Sequence, residues 1–260
     1  MGIEISWRSQ AGKRTEDNRD CAGVGIRGDE ALCIVLDGST AGPDSGALAR
    51  RVARALIDWF TASDDAATAE SLVARLRTIH AGTSGHHPRA SASYMIVHIR
   101  LPDALLAIHA GDCLIGRRDE QHVIEWVCRP HTLANAIGAD VPIAAIAGQA
   151  ARHRLTRSFR VREFMAPDAV ALHGGREIIV ATDGFWADLS AEDHSRFLES
   201  QNIPMPIDGD DRSALRLRVI DTAPEILVRS EGADPDEFYV KARVTRSAPE
   251  AGEDATLSRT

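Results

Sequence analysis

The chain has 260 residues, 44% of them apolar, and sets thirty Lys and Arg against thirty-eight Asp and Glu for a formal charge of -8. That length suits one large domain or two modest ones with a substantial core. No dense basic block stands out, so nucleic-acid binding has little electrostatic support, while the excess acid leaves carboxylates to spare for metal ions.

In chain order, Ile3, Ile5 and Trp7 alternate with polar residues and predict a first strand. The charged stretch "AGKRTEDNRDCAGV" follows. Residues 31–36, "ALCIVL", read as a buried strand closed by Asp37-Gly38, with Cys33 as a small core residue. "GSTAGPDSG" reads as a loop. Leu48, Val52, Ala55, Leu56, Trp59 and Phe60 then recur at helical spacing and predict a helix over about 46–60. A second amphipathic segment is expected near 68–80. The stretch "AGTSGHHPRA" reads as an exposed loop, which argues against a metal role for His86 and His87.

"SYMIVHIR" and "ALLAIHAGD" predict a hairpin joined by Leu101-Pro102-Asp103, with His98 and His109 facing solvent or a neighbour. "CLIGRR" and "HVIEWV" are expected to continue it as a meander. "HTLANAIGAD" breaks the period, and 141–160 fits neither pattern. "EIIVATDG" is the next strand, and Ser190 with Asp193 three positions on marks a helix start over "AEDHSRFLES". "ALRLRVI", residues 214–220, alternates as a late strand. "DEFYVKARV" fits a strand of the main sheet or of an appendage, and residues 246–260 are polar, small and expected to fray. Strands grouped apart from helices favour α+β over a doubly wound α/β fold. Cys21, Cys33, Cys113 and Cys128 lack CxxC spacing, which leaves no zinc-type cluster. With no secretory leader and no apolar run near the roughly 18 residues of a membrane span, a soluble cytoplasmic protein is expected.

The carboxylates fall in a recurring place. Asp37 and Asp183 each end an apolar run and each precede Gly, and Asp112 ends "LLAIHAG". Asp20 lies in the early polar loop, and Asp210-Asp211 stand just before the strand "ALRLRVI". Asp-Gly after an apolar run has an ordinary reading as a strand-ending turn. The same positions suit hard divalent ions, which take oxygen ligands, and two such ions can activate water and orient a phosphoryl group. Spacing alone leaves both readings open.

In order and spacing these stretches resemble the motifs of the metal-dependent protein phosphatases of the 2C type, especially the compact bacterial serine/threonine phosphatases. "GKRTEDNRD" is similar to their opening motif, a Gly followed by an Arg and then Asn-x-Asp, here matched by Gly12, Asn18 and Asp20. "ALCIVLDGSTAG" resembles the Asp-Gly loop, and "SYMIVHIRLPDALLAIHAGDCLIGRR" the hairpin leading to Gly-Asp-Ser-Arg. "HTLANAIG", "EIIVATDGFWADLS" and "GDDRSALRLRV" resemble the Leu-Gly turn, the Ser-Asp-Gly-x-Trp motif and the closing Asp-Asn-x-Thr. The likeness covers roughly residues 1–220.

The resemblance implies an α+β, four-layer αββα sandwich, two antiparallel sheets flanked by helices, with one phosphatase domain over 1–245 and a tail over 246–260. It implies two divalent ions, Mn²⁺ or Mg²⁺, held by Asp20, Asp37, Asp183 and Asp210 and by the Gly38 carbonyl. The implied reaction is hydrolysis of phosphoserine or phosphothreonine in proteins by a water or hydroxide bridging both ions, without a phosphoenzyme. The expected partner is a phosphorylated protein, a protein kinase being one candidate, and the expected state is a monomer.

The chain also departs from the family. The phosphate-holding Arg aligns with Thr15, and its neighbour Arg14 is either the replacement, with a planar fork suited to phosphate, or a solvated loop charge. Arg19 stands where an acidic or amide residue is usual. "GDCL" replaces Gly-Asp-Ser-Arg, so Asp112 either supports the metal site from behind or shapes a turn. Pro130 removes a contributor to any additional metal site, and His131 after it is a candidate general acid or a surface histidine. Of the acidic pair, Asp210 is the expected ligand because it puts Ser213 at the family's Thr position, with Asp211 in support. Trp186 is expected to anchor its loop by packing, and Asp188 to be a loop residue. Two other readings stand beside the enzyme: a weak or inactive pseudophosphatase that binds a phosphorylated partner, and a phosphatase of small phosphorylated molecules.

Overall fold

The computed structural model describes residues 2–83, 88–100, 104–138, 141–172, 175–221, 225–231 and 234–243. The expected linker Leu101-Pro102-Asp103, the pair His86-His87 and the tail 246–260 lie outside them. The chain opens with three strands, β1 (Gly2–Gln10), β2 (Asp20–Arg27) and β3 (Glu30–Gly38), and two helices, α1 (Ser45–Ala62) and α2 (Ala69–Thr83). Four strands follow, β4 (Ser91–Arg100), β5 (Ala104–Ala110), β6 (Leu114–Arg118) and β7 (Ile124–Trp126). The aperiodic middle forms two short helices, α3 (Leu133–Ile137) and α4 (Ile143–Ala147), a 3-10 turn over Ala150–His153, and two short strands, β8 (Phe159–Arg160) and β9 (Asp168–Val170). The last third carries β10 (Glu177–Ala181), α5 (Asp183–Trp186), α6 (Ala191–Leu198), β11 (Arg212–Ile220), β12 (Ile226–Glu231) and β13 (Phe238–Ala242).

The alternation along β3 decides how the layers stack. Leu32, Ile34 and Leu36 join a cluster with Leu48, Val52, Leu56 and Phe60 of α1 and Leu72 and Leu76 of α2. Ala31, Cys33 and Val35 join a second cluster with Ile3, Ile5 and Trp7 of β1. A strand buried on both faces belongs between a helix layer and a second sheet. The two sheets run β12-β1-β11-β10-β6-β7 and β13-β2-β3-β4-β5-β9, with β8 added beside β4. Helices flank both, giving the αββα sandwich. Ser190 caps α6 as its sequence predicts, its hydroxyl accepting from the Asp193 N–H. Within "DEFYVKARV" the strand β13 (Phe238–Ala242) belongs to the main sheet, since it pairs in parallel with β2. Among the described residues no helix is long and apolar enough to cross a membrane.

One expectation is overturned. The strands after β5 do not continue its meander: β5 pairs with β4 in one sheet, whereas β6 pairs with β10 in the other. The chain crosses between sheets at Gly111, whose φ of +114° is open to glycine and strained for other residues. The neighbouring Asp112 therefore sits at the seam of the sandwich rather than in a hairpin turn.

Candidate active site

Strand ends bring the acidic residues together. Asp20 opens β2, Asp37 lies near the end of β3, and the two are register partners. Asp183 opens α5 directly after β10, and Asp210 and Asp211 precede β11, which lies between β1 and β10. Asp37, Asp112, Asp183 and Asp210 line one cleft with Ser39, Thr40, Ser93, His153 and Leu155. Asp20 is fully buried beside Asp37.

Burial first, and then the neighbouring acids, push the Asp20 and Asp37 carboxyls well above the usual carboxylate range. Asp112 and Asp183 are raised too, chiefly by burial, with Arg152 pulling both the other way. Groups held like this favour a bound proton or a bound cation. Asp20 Oδ2 accepts from Thr182 Oγ1 at 2.8 Å, while its Oδ1 is buried without a hydrogen-bond partner. An orphaned carboxylate oxygen in a nest of acids is costly unless a cation reaches it, so the donor set fits hard divalent ions. Among the described residues, however, no three His, Cys, Asp or Glu side chains converge on a single ion position.

Two arginines hold the acids instead. Arg152, only 5% exposed, donates from Nη1 to Asp183 Oδ2 at 2.7 Å and from Nη2 to Asp188 Oδ1 at 2.7 Å. Arg14 donates from Nη1 to Asp210 Oδ2 at 2.6 Å and from Nε to the Asp208 carbonyl at 2.7 Å. Arg152 carries no sequence expectation, and Asp188, expected as a loop residue, does lie in a turn but also pairs with Arg152. Arg152 lies in the aperiodic stretch, and the one signal for it is local basic density, five arginines between residues 152 and 162. That run corrects the reading that the chain has no dense basic block.

The supporting residues divide by what they touch. Asp211 accepts from the Gly12 N–H at 2.7 Å with one oxygen and from the Arg19 N–H at 2.8 Å with the other, so both its oxygens fasten the opening loop. Arg19 donates from Nη1 to the carbonyls of Ser39, Thr40 and Gly42, which gives this departure a job: it shapes the loop after Gly38. Gly38 itself donates its N–H to the Arg19 carbonyl at 3.1 Å. Asp112 exchanges hydrogen bonds with Ser93, accepting from its hydroxyl at 2.6 Å. Trp186 does more than pack, since its Nε1 donates to the Asp112 carbonyl at 2.8 Å. Asn18 accepts from the Asp20 N–H at 3.1 Å and donates to Glu237 at 3.0 Å.

Gly184 allows the Asp183 turn to press against the strand that carries the acidic pair. A Cβ there would lie 2.0 Å from the Asp211 carbonyl oxygen. Gly184→Ala should therefore cost about 3 kcal/mol. Urea unfolding checks this, and an unchanged midpoint would show that the two backbones can part.

His131 does not line the acidic cleft. The Gly111 N–H donates to its Nδ1 at 3.1 Å, so the ring proton sits on Nε2 and points to Asp168 Oδ2 at 2.9 Å. Arg157 holds the other Asp168 oxygen. His109 stacks on His131 with ring centroids 4.3 Å apart, and His98 faces Glu30, so both strand histidines meet neighbours, not solvent. Burial, aided by His131, holds His109 down at about 3. A histidine kept neutral in the fold but protonated near 6.5 when unfolded contributes stability that is lost as pH falls below that value. His109 should remove about 2 kcal/mol between pH 7 and pH 5. His109→Phe should flatten that acid limb in urea titrations, and an equally steep limb would count against this account.

The sequence profile of the family described as Protein phosphatase 2C matches residues 9–206. Among solved structures, the serine/threonine phosphatase Stp1 from Staphylococcus aureus aligns with a TM-score of 0.69 at 13% identity, covering 85% of this chain and 96% of that one. The S. agalactiae serine/threonine phosphatase gives 0.68 at 18% identity over 84% of this chain and all 100% of its own. The catalytic domain of the serine threonine protein phosphatase PstP, in complex with two manganese ions, gives 0.61 at 17% identity over 84% and 99%. At these identities the likeness is one of fold. No curated protein matches the chain.

Proposed function

The chain belongs to the protein phosphatase 2C family, and on that premise we propose that it is a metal-dependent hydrolase of phosphoserine and phosphothreonine in proteins. The observation that carries the reading is the convergence of Asp37, Asp112, Asp183 and Asp210 on one cleft beside the orphaned Asp20 Oδ1. The two manganese ions of the PstP catalytic domain support it by likeness of fold.

Asp20, Asp37, Asp183 and Asp210 would hold two divalent ions, Mn²⁺ or Mg²⁺, with the Gly38 carbonyl. Such ions supply neutralising charge and an activated water for attack on phosphorus. Asp112, fixed by Ser93 and Trp186, orients water from the cleft wall. Asp211 holds the loop that carries Arg14, whose fork suits phosphate once it leaves Asp210. His131 orients the Gly111–Asp112 crossing through its Nδ1, and His153 is the histidine that lines the cleft.

Titration of Mn²⁺ and Mg²⁺ against an aryl phosphate tests this, with hydrolysis of a phosphothreonine peptide expected to follow the same metal dependence. Activity absent at every concentration of both ions would end the enzyme reading. The arginines on Asp183 and Asp210 favour one alternative, a pseudophosphatase whose guanidinium groups stand in for ions. That alternative expects no Mn²⁺-induced rise in melting temperature. Turnover of small phosphometabolites without turnover of phosphopeptides would favour the remaining one.

A further inference from the structure

A groove beside the cleft is lined by Arg89, Arg160 and Arg162. Arg89 and Arg162 are exposed, and among the described residues no Asp or Glu pairs with any of the three. Two of them bond neutral acceptors: Arg162 Nε donates to the Pro88 carbonyl at 3.1 Å, and Arg160 donates to the Leu155 carbonyl at 2.8 Å and to Ser158 Oγ at 3.1 Å. Arg77 adds a further cation nearby, over the ring of Phe164. In a chain of formal charge -8, three clustered guanidinium groups with no acidic partner among the described residues repel one another, a cost that their bonds to neutral acceptors do not remove.

Groove and cleft share two walls. Ser39 and Thr40 line the cleft, and the same loop reaches the groove where the Ser39 N–H donates to the Ser91 carbonyl at 3.0 Å and Gly42 abuts the Arg89 carbonyl. On the other side Leu155 lines the cleft while its carbonyl accepts from Arg160. A chain with its phosphorylated residue in the cleft would leave over one of these walls into the groove.

Resting on the proposed phosphatase activity, we infer that this groove docks acidic residues flanking the phosphorylated residue of a protein substrate. Guanidinium forks pair with carboxylates in a two-pronged way. None of the groove's lining side chains is aromatic, so a nucleic acid would find no ring there on which to stack its bases.

The test compares phosphothreonine peptides of equal length with three Glu before, three Glu after, or only Ala around the phosphorylated residue. A Glu-flanked peptide is expected to exceed the Ala peptide in kcat/KM by about tenfold on at least one side, and the advantage should shrink with added salt. Arg89→Glu with Arg162→Glu should erase the advantage and leave aryl phosphate hydrolysis unchanged. Arg89→Ala, a single exposed change, serves if the double variant does not fold. Equal kcat/KM for Glu and Ala peptides, or an advantage that survives the variants, overturns the inference. If the aryl phosphate is not hydrolysed at any metal concentration, the activity reading falls, and the groove is judged by fluorescence anisotropy with a labelled Glu-flanked phosphopeptide. Binding about tenfold weaker in the variants sustains the docking site. Unchanged binding overturns it, as does equal affinity for a single-stranded oligonucleotide of matched charge.

Discussion

Asp37→Asn should lower turnover by on the order of a thousandfold while leaving the metal-free protein as stable as the parent or more so. The two effects separate because, among the described residues, nothing donates a hydrogen bond to the Asp37 carboxyl, which is raised by burial and by Asp20, Asp183, Asp112 and Asp210. A carboxyl whose folded pKa is raised costs the fold stability as pH rises from its unfolded value toward the folded one, so at neutral pH an amide of the same shape removes that cost. The melting temperature without metal should hold or rise, and the Mn²⁺-induced increment should vanish. Retention of that increment would mean that Asp37 is not a ligand, whatever happens to activity.

The second large effect has the opposite sign. Arg152→Met should destabilise the metal-free protein by about 3–5 kcal/mol, because Asp183 and Asp188 would lose the buried cation between them. Divalent ions replace part of that charge, so Mn²⁺ should stabilise the variant more than it stabilises the parent. Arg152→Lys keeps the charge but loses the bridge across two carboxylates, and should fall between. A Met variant as stable as the parent, or one with the smaller Mn²⁺ response, would show that Arg152 is no counter-ion to the acidic cluster. Melting curves with and without Mn²⁺ read both outcomes.

Much of the fold was legible because its elements are long and carry an apolar run or a regular apolar period. The unbroken apolar run over 31–36 and the helical spacing from Leu48 to Phe60 are the direct imprint of β3 and α1 on the sequence. The acidic residues were legible only as an ordered set, since Asp183-Gly184 alone reads equally well as a turn. Arg152 and its pairing with Asp188 escaped notice for a physical reason. The two residues lie among four- and five-residue elements, too short to print a period, and their partnership is a tertiary contact across 36 residues. The crossing at Gly111 escaped too, because a Gly-Asp pair serves a hairpin and a change of sheet alike; only the backbone angle and the register of β6 tell them apart.

The grip of Asp211 on the opening loop also constrains the order of events during synthesis. Its bonds to Gly12 and Arg19 span 199 and 192 residues, and β1 finds its partners only in β11 and β12. Contacts of such long sequence separation close late. A nascent chain emerging from the ribosome can assemble the helix-covered hairpins of β3, β4 and β5 early, but the acidic cleft is incomplete until nearly the whole polypeptide is out. Fragments that stop short of residue 211 should fold in part without closing the acidic cleft, so the topology itself delays the site until the chain is almost complete.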